Sequence, residues 1–164
     1  MLLVGGTPNK NLERVFRAAS GLAIQWVILG NLNAAQEKMF ADEGVTAERH
    51  KGLTREQVVA LYQSCDFLCF VSTYEGFGMP ILEAQATGIP VITANIPPMS
   101  DVAGDGALTV DPFDEGSIRA GIESILHESE LRQDLVAAGF ANAAKYSSRD
   151  VARQYAELYR EVLQ

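Results

Sequence analysis

Short apolar runs and longer amphipathic ones take turns along this chain, the pattern of strand–helix units that build a parallel sheet. The apolar runs place candidate strands at Leu2–Val4, Gln25–Leu29, Val45–Glu48, Phe67–Val71, Pro90–Thr93 and Ala107–Val110. Each is short and nearly all apolar, as expected for strands covered on both faces. Between them the period changes to that of helices. Leu12, Val15, Phe16 and Ala19 share one face, with Gly21 placed to end that helix. Thr54-Arg55-Glu56-Gln57 reads as a capping box opening a helix that carries Val58, Leu61 and Tyr62. Pro80 fits the first position of a further helix, where its missing N–H costs nothing, and Gly88 stops that helix after Thr87.

The last third of the chain reads as helix throughout. Asp114–Glu128 carries Ile118, Ile122, Ile125 and Leu126 at helical spacing; Leu131, Leu135 and Val136 belong to a second helix. Ser147 or Ser148 caps a third, whose apolar residues include Leu158, Tyr159 and Val162. No repeat and no linker divides the chain. One α/β domain follows, a doubly wound parallel sheet of Rossmann type with about six strands and a helical C-terminal third.

Composition narrows the partners. The chain has 164 residues, 48% of them apolar, enough for one domain with a real core. Its net charge of −8 argues against a nucleic-acid backbone as partner, although a cluster of backbone N–H groups can hold a phosphate on an acidic protein. No apolar run approaches the roughly 20 residues that span a bilayer. The opening Met1-Leu2-Leu3-Val4 lacks the charge and length of a secretory signal, and a chain that starts inside its first core strand reads as a domain cut from something longer. Cys65 and Cys69 read as free buried thiols that fit a reducing, cytoplasmic setting, and no metal-binding motif is evident.

Chemistry concentrates in one segment, Ser72-Thr73-Tyr74-Glu75-Gly76-Phe77-Gly78-Met79-Pro80-Ile81-Leu82-Glu83, which follows a core strand. Open parallel sheets bind ligands beyond the carboxyl ends of their strands. Gly76 and Gly78 allow a sharp turn with exposed N–H groups, and the next helix points its N-terminus at the same spot. Such an end suits a phosphate. Glu75 precedes the turn and Glu83 lies one helical turn beyond it. A carboxylate accepts hydrogen bonds from adjacent hydroxyls, so the pair suits a sugar on one side of a diphosphate and a ribose on the other. The plainer account, a glycine turn and a first-turn glutamate that favours the helix dipole, leaves Glu75 without a task.

Glu75 to Glu83, with seven residues between the glutamates, resembles the signature of the retaining glycosyltransferases of GT-B type, family four, also called glycosyl transferases group 1. The similarity continues through Ala84-Gln85-Ala86-Thr87-Gly88-Ile89-Pro90-Val91-Ile92, Asp101–Ala107 and Val110-Asp111-Pro112, in the order of that family's C-terminal, nucleotide-sugar-binding domain. The resemblance implies one half of a GT-B fold. It implies that Glu75 contacts the donor sugar, that Glu83 and Ile81 belong to the donor site, and that Glu83 binds the ribose. The N–H groups of Phe77, Gly78 and Met79 would lie against sugar and diphosphate. Gly5-Gly6-Thr7-Pro8-Asn9-Lys10-Asn11 is similar to the family's first strand-to-helix loop: Gly6 and Thr7 would border the donor and Lys10 would neutralise the departing diphosphate, electrostatic catalysis by a fixed cation. Lys51-Gly52-Leu53 falls where the family borders the nucleobase. Many relatives carry arginine at the position of Gly6, so the cationic clamp is incomplete; Arg14 and Arg17 are candidates to complete it, against a plainer reading as solvated helix residues.

The same resemblance implies that the donor is a GDP- or UDP-sugar used as a substrate, with no cofactor and no metal. Gly5–Asn11 and Asn95-Ile96-Pro97-Pro98 lean toward mannosyltransferases and hence GDP-mannose. The resemblance further implies an N-terminal acceptor domain absent from this chain, so that the chain would bind donor with little transfer and the last helix, Asp150–Leu163, would cover that half or pair as a homodimer. The setting would be polysaccharide or lipid-linked glycan synthesis in the cytoplasm, peripheral to the membrane through the parent enzyme. His50 and His127 match no catalytic position. The rivals are a nucleotide-sugar epimerase, a non-catalytic nucleotide-binding domain, and a dinucleotide oxidoreductase, whose spaced glycines the first loop lacks.

Overall fold

A computed structural model describes residues 1–163. Six parallel strands form one sheet: β1 (Leu2–Val4), β2 (Trp26–Leu29), β3 (Ala47–His50), β4 (Leu68–Phe70), β5 (Val91–Ala94) and β6 (Leu108–Val110), in the order β3-β2-β1-β4-β5-β6. Eight α-helices connect and cover them among the described residues: α1 (Leu12–Ala18), α2 (Ala34–Asp42), α3 (Arg55–Gln63), α4 (Met79–Thr87), α5 (Met99–Ala103), α6 (Glu115–His127), α7 (Ser129–Ala143) and α8 (Ser148–Val162). This is the doubly wound α/β fold.

Central strands carry the core because helices lie on both sides of them. Every residue of β4 and β5 is buried. Phe16 of α1, Trp26 of β2 and Phe40 of α2 meet with ring centroids 4.6 to 5.5 Å apart, which fastens two helices to one half of the sheet. On the other half, Gln85 of α4 and Asn142 of α7 bond each other at 2.9 Å and take the carbonyls of Ala103 and Val102 at 2.8 Å. Both side chains are buried and paired, which lets α7 pack closely at Gly139.

Several element boundaries differ from expectation. The third strand is Ala47–His50 rather than Val45–Glu48, because the Val45 N–H caps α2 by donating to the Phe40 carbonyl at 2.9 Å. It is an edge strand with exposed Glu48 and Arg49, the polar composition that discourages further strand addition. Pro80 is second, not first, in α4; Gly78 is its N-cap, with φ +106°. Helix α1 ends at Ala18, before Gly21. The capping box at Thr54 and Gln57 is present, and Ser147 is the cap of α8. Helices α2 and α5 had no counterpart in the sequence reading.

Candidate functional site

The site lies where the sheet changes direction. Chain order runs outward from β1 in one direction and from β4 in the other, so the loops following these neighbours part company at their carboxyl ends. The β1 loop closes through a 3-10 turn at Pro8–Lys10 and then Asn11, which sits in the left-handed region at φ +58°. Asparagine tolerates that conformation better than most residues. The Asn11 side chain is buried and donates to the carbonyls of Val71 (3.0 Å) and Pro112 (2.7 Å), tying together the loops that follow β1, β4 and β6. Two residues earlier, the Asn9 carbonyl accepts from Thr73 N at 2.8 Å, and Asn9 Nδ2 donates to the Tyr74 carbonyl at 2.9 Å. Thr7 Oγ1 donates to Asn9 Oδ1 at 2.7 Å and fixes that amide.

This lacing brings Lys10 and Glu75 together, 65 positions apart in the chain: Lys10 Nζ lies 2.7 Å from Glu75 Oε1. Their side chains are 17% and 14% exposed, and the ammonium lies 4.5 Å from the centre of the Phe70 ring. The pair leaves Lys10 with further N–H donors and Glu75 with Oε2, which has no hydrogen-bond partner among the described residues. Removing either partner would strand the other's charge in partly dry surroundings.

Beyond Glu75 the chain turns into α4. The backbone N–H groups of Phe77, Gly78 and Met79 donate to no protein acceptor among the described residues. They stand at the N-terminus of a nine-residue helix and carry the partial positive charge of its dipole. Only Gly78 needs glycine for its backbone angle; a Cβ at Gly76 would meet open space. Ile81, expected in the donor site, lies beneath this turn. Its side chain is fully buried and its N–H is taken by the Gly78 carbonyl at 3.0 Å, so it anchors the turn from below. Phe77 and Met79 are about half exposed, and the Phe77 ring meets Tyr146 edge-on at 6.0 Å.

Glu83, one turn along α4, faces solvent and forms no ion pair among the described residues. Its Oε2 accepts from the hydroxyl of Tyr62 on α3 at 2.9 Å. Burial first, then the neighbouring Glu83 charge and this bond, pushes the Tyr62 hydroxyl well above the ordinary tyrosine range, so it remains a donor.

Arg14 and Arg17, the candidates to complete a cationic clamp, both have partners elsewhere. Arg14 donates to the Asn11 side chain and to the Pro112 carbonyl, and it lies over the Phe113 ring at 5.7 Å. Arg17 pairs with Glu115 at 2.7 Å on the surface. At Gly6 a Cβ would lie 2.0 Å from the Asn31 carbonyl oxygen, so no side chain, arginine included, fits there without moving the β2 loop. Buried Gln36 presses on the same place, donating to the Gly6 carbonyl at 3.0 Å. Lys51 is exposed and Leu53 half-buried on the loop after β3, two strands from β1 and roughly 10 Å across the sheet from it.

Among the described residues no three His, Cys, Asp or Glu gather as metal ligands, and no helix is long and apolar enough to cross a membrane. His50 is engaged with Glu48 at 2.6 Å. Cys65 and Cys69 are free and buried; burial pushes the Cys69 thiol up to about 12 and raises that of Cys65, leaving neither as a ready nucleophile.

Sequence reasoning did not single out Asn9, Asn11, Gln36 or Tyr62 for the site. Tyr62 carried a readable signal: a tyrosine on the buried face of a helix must find a partner for its hydroxyl. The bonds of Asn9 and Asn11 span more than 60 positions, and no local pattern announces them.

A doubly wound sheet with a basic–acidic pair and an open helix N-terminus at its switch point defines an α/β domain equipped for an anionic ligand. Residues 5–141 match the family described as glycosyl transferases group 1, and the chain belongs to that family. It is 35% identical over 105 residues to O-antigen chain mannosyltransferase B of Escherichia coli, covering 64% of this chain and 28% of that protein. It is 29% identical over 168 residues to the MMP alpha-(1->4)-mannosyltransferase of Mycolicibacterium hassiacum, covering 95% of this chain and 41% of the relative. Sucrose-phosphate synthase from Thermosynechococcus elongatus shares the fold with a TM-score of 0.85 at 20% identity, over 99% of this chain and 45% of that one. The chain thus spans less than half the length of these relatives.

Proposed function

We propose that this chain is the donor-binding domain of a retaining glycosyltransferase of GT-B type, the C-terminal half of a two-domain enzyme. Its ligand is a nucleotide-diphosphate sugar, used as substrate without a metal. The observation that carries the reading is the Lys10–Glu75 pair, 2.7 Å apart at the switch point, beside the open N–H groups of Phe77, Gly78 and Met79. A lysine and a helix end neutralise a diphosphate in the ground state and, more so, as it departs with the extra charge of bond cleavage. Glu75 Oε2 accepts from a hydroxyl of the donor sugar. Glu83 takes the ribose hydroxyls, and the Lys51–Leu53 backbone borders the base.

Gly6 and Thr7 line the diphosphate side, and Lys10 supplies the cationic charge there. The mannosyltransferase relatives, with the Gly5–Asn11 and Asn95–Pro98 loops, favour GDP-mannose over a UDP-sugar. Transfer requires the acceptor domain, which the exposed apolar face of α8 is suited to meet; the assembled enzyme works in polysaccharide or lipid-linked glycan synthesis at the cytoplasmic side. The test is calorimetric titration of the chain with GDP, UDP and ADP and then the matching sugar nucleotides, with and without magnesium. Magnesium-independent binding that favours one base and falls at least tenfold in Lys10→Ala is expected. Absence of binding at millimolar ligand, or affinity indifferent to Lys10, overturns the reading.

A further inference from the structure

We propose that Tyr62 is a positioning residue for nucleotide recognition, holding the Glu83 carboxylate in the orientation that selects a nucleotide bearing ribose hydroxyls over one lacking them. The proposal rests on the reading of Glu83 as the ribose ligand. Tyr62 is 1% exposed, near the end of α3, and its hydroxyl reaches out of the core to Glu83 Oε2 at 2.9 Å. Both ends of this bond stand on fixed backbone. Helix α3 is pinned by the reciprocal Thr54–Gln57 cap, and α4 by buried Ile81, Leu82, Ala84 and Gln85 on the face opposite Glu83.

Without Tyr62 the glutamate would be a solvated side chain on an exposed helix face, free among its rotamers. A ligand hydroxyl would then have to freeze it on binding. With Tyr62 in place, one oxygen is anchored and Oε1 is presented to the ligand with no partner of its own among the described residues. Burial keeps the phenol protonated, so the anchor is a donor wherever the carboxylate is charged. The expected gain from removing that freedom is about 3- to 10-fold in affinity for a ligand bearing the hydroxyls, and none for one lacking them.

The test compares UDP and GDP with their 2′,3′-dideoxy counterparts by titration of the chain, Glu83→Gln, Tyr62→Phe and the double variant. The chain should prefer the ribonucleotide, and Glu83→Gln should erase that preference. Tyr62→Phe should weaken ribonucleotide binding about 3- to 10-fold, leave dideoxynucleotide binding unchanged, and add nothing in the double variant. Equal weakening of both nucleotides, or a full ribose preference in Tyr62→Phe, overturns the proposal while leaving the Glu83 reading intact. A chain with no ribose preference at all overturns both. Should Tyr62→Phe not fold, the Tyr62 Cζ carbon resonance of the unaltered chain gives an independent measure. It should move on saturation with UDP and move less with 2′,3′-dideoxy-UDP; a resonance that responds alike to the two overturns the proposal.

Discussion

At the scale of the residue, Asn11 ties together the loops that build this site. It is buried, left-handed at φ +58°, and bonded to two carbonyls on loops that follow different strands. Replacement by alanine would leave Val71 and Pro112 carbonyls without that donor and place an ordinary residue in a disfavoured region. The expected cost is on the order of 3 kcal/mol. Asn11→Gly should cost less, since it keeps the backbone angle and loses only the bonds. Thermal or urea unfolding of the two variants ranks them; equal losses would mean that the left-handed conformation contributes nothing. Tyr62 offers a second test, through pH. Its folded-state pKa is raised, so its contribution to stability is complete below about pH 10, where the unfolded chain also keeps it neutral. Above that, the unfolded state ionises and the folded state does not, and the contribution drains away as pH rises. The stability gap between the chain and Tyr62→Phe should therefore hold up to the free tyrosine value and shrink as pH rises from about 10 to about 12. A constant gap across that window would sink the argument.

At the scale of the element, legibility followed how local each cause is. The motif Glu75–Glu83 was readable because a strand end, a glycine turn and a helix start lie within a dozen positions, and their functional geometry is set by that segment itself. The Thr54–Gln57 capping box was readable for the same reason. Helix α2 was not, although Asn33 and Gln36 form an equally complete box. Only Gln36 and Phe40 of that helix are buried, too few apolar positions to give a periodic stripe. The third strand slipped by two residues because an edge strand need not be apolar. Polar Glu48 and Arg49 continue it, whereas Val45 serves the end of the preceding helix. The partnership of Lys10 with Glu75 is a fact about topology, created by placing β1 beside β4, and the sequence pattern has no access to it. Gly78 links this scale to the site. With φ +106° and Ile81 Cδ1 3.1 Å from where a Cβ would sit, Gly78→Ala should lower stability by roughly 1–2 kcal/mol and misdirect the open N–H groups of α4. Unfolding and nucleotide titration should both register it. Unaltered stability would show that the turn relaxes freely.

At the scale of the whole molecule, α8 stands apart. None of its residues is buried, while Tyr155, Leu158, Tyr159 and Val162 are more than half exposed. Together with Phe77, Lys145, Tyr146, Val151 and Gln154, two of these line a groove of about 610 Å³ next to the donor loop. A helix with that much apolar surface is stable in water only at a cost, and the hydrophobic effect favours covering it. In the two-domain enzyme proposed above, the acceptor half supplies the cover; in the chain alone, a second copy is the available surface. Sedimentation should accordingly show weight that rises with concentration, and Leu158→Lys with Tyr159→Lys should abolish the rise. Because α8 buries little of the core, removing residues 148–164 should change unfolding stability by no more than about 1 kcal/mol. A concentration-independent monomer would mean that α8 hides its own face by folding back. A large loss of stability on truncation would mean that the helix belongs to the core of this domain, and the case for a partner on that face would fall with it.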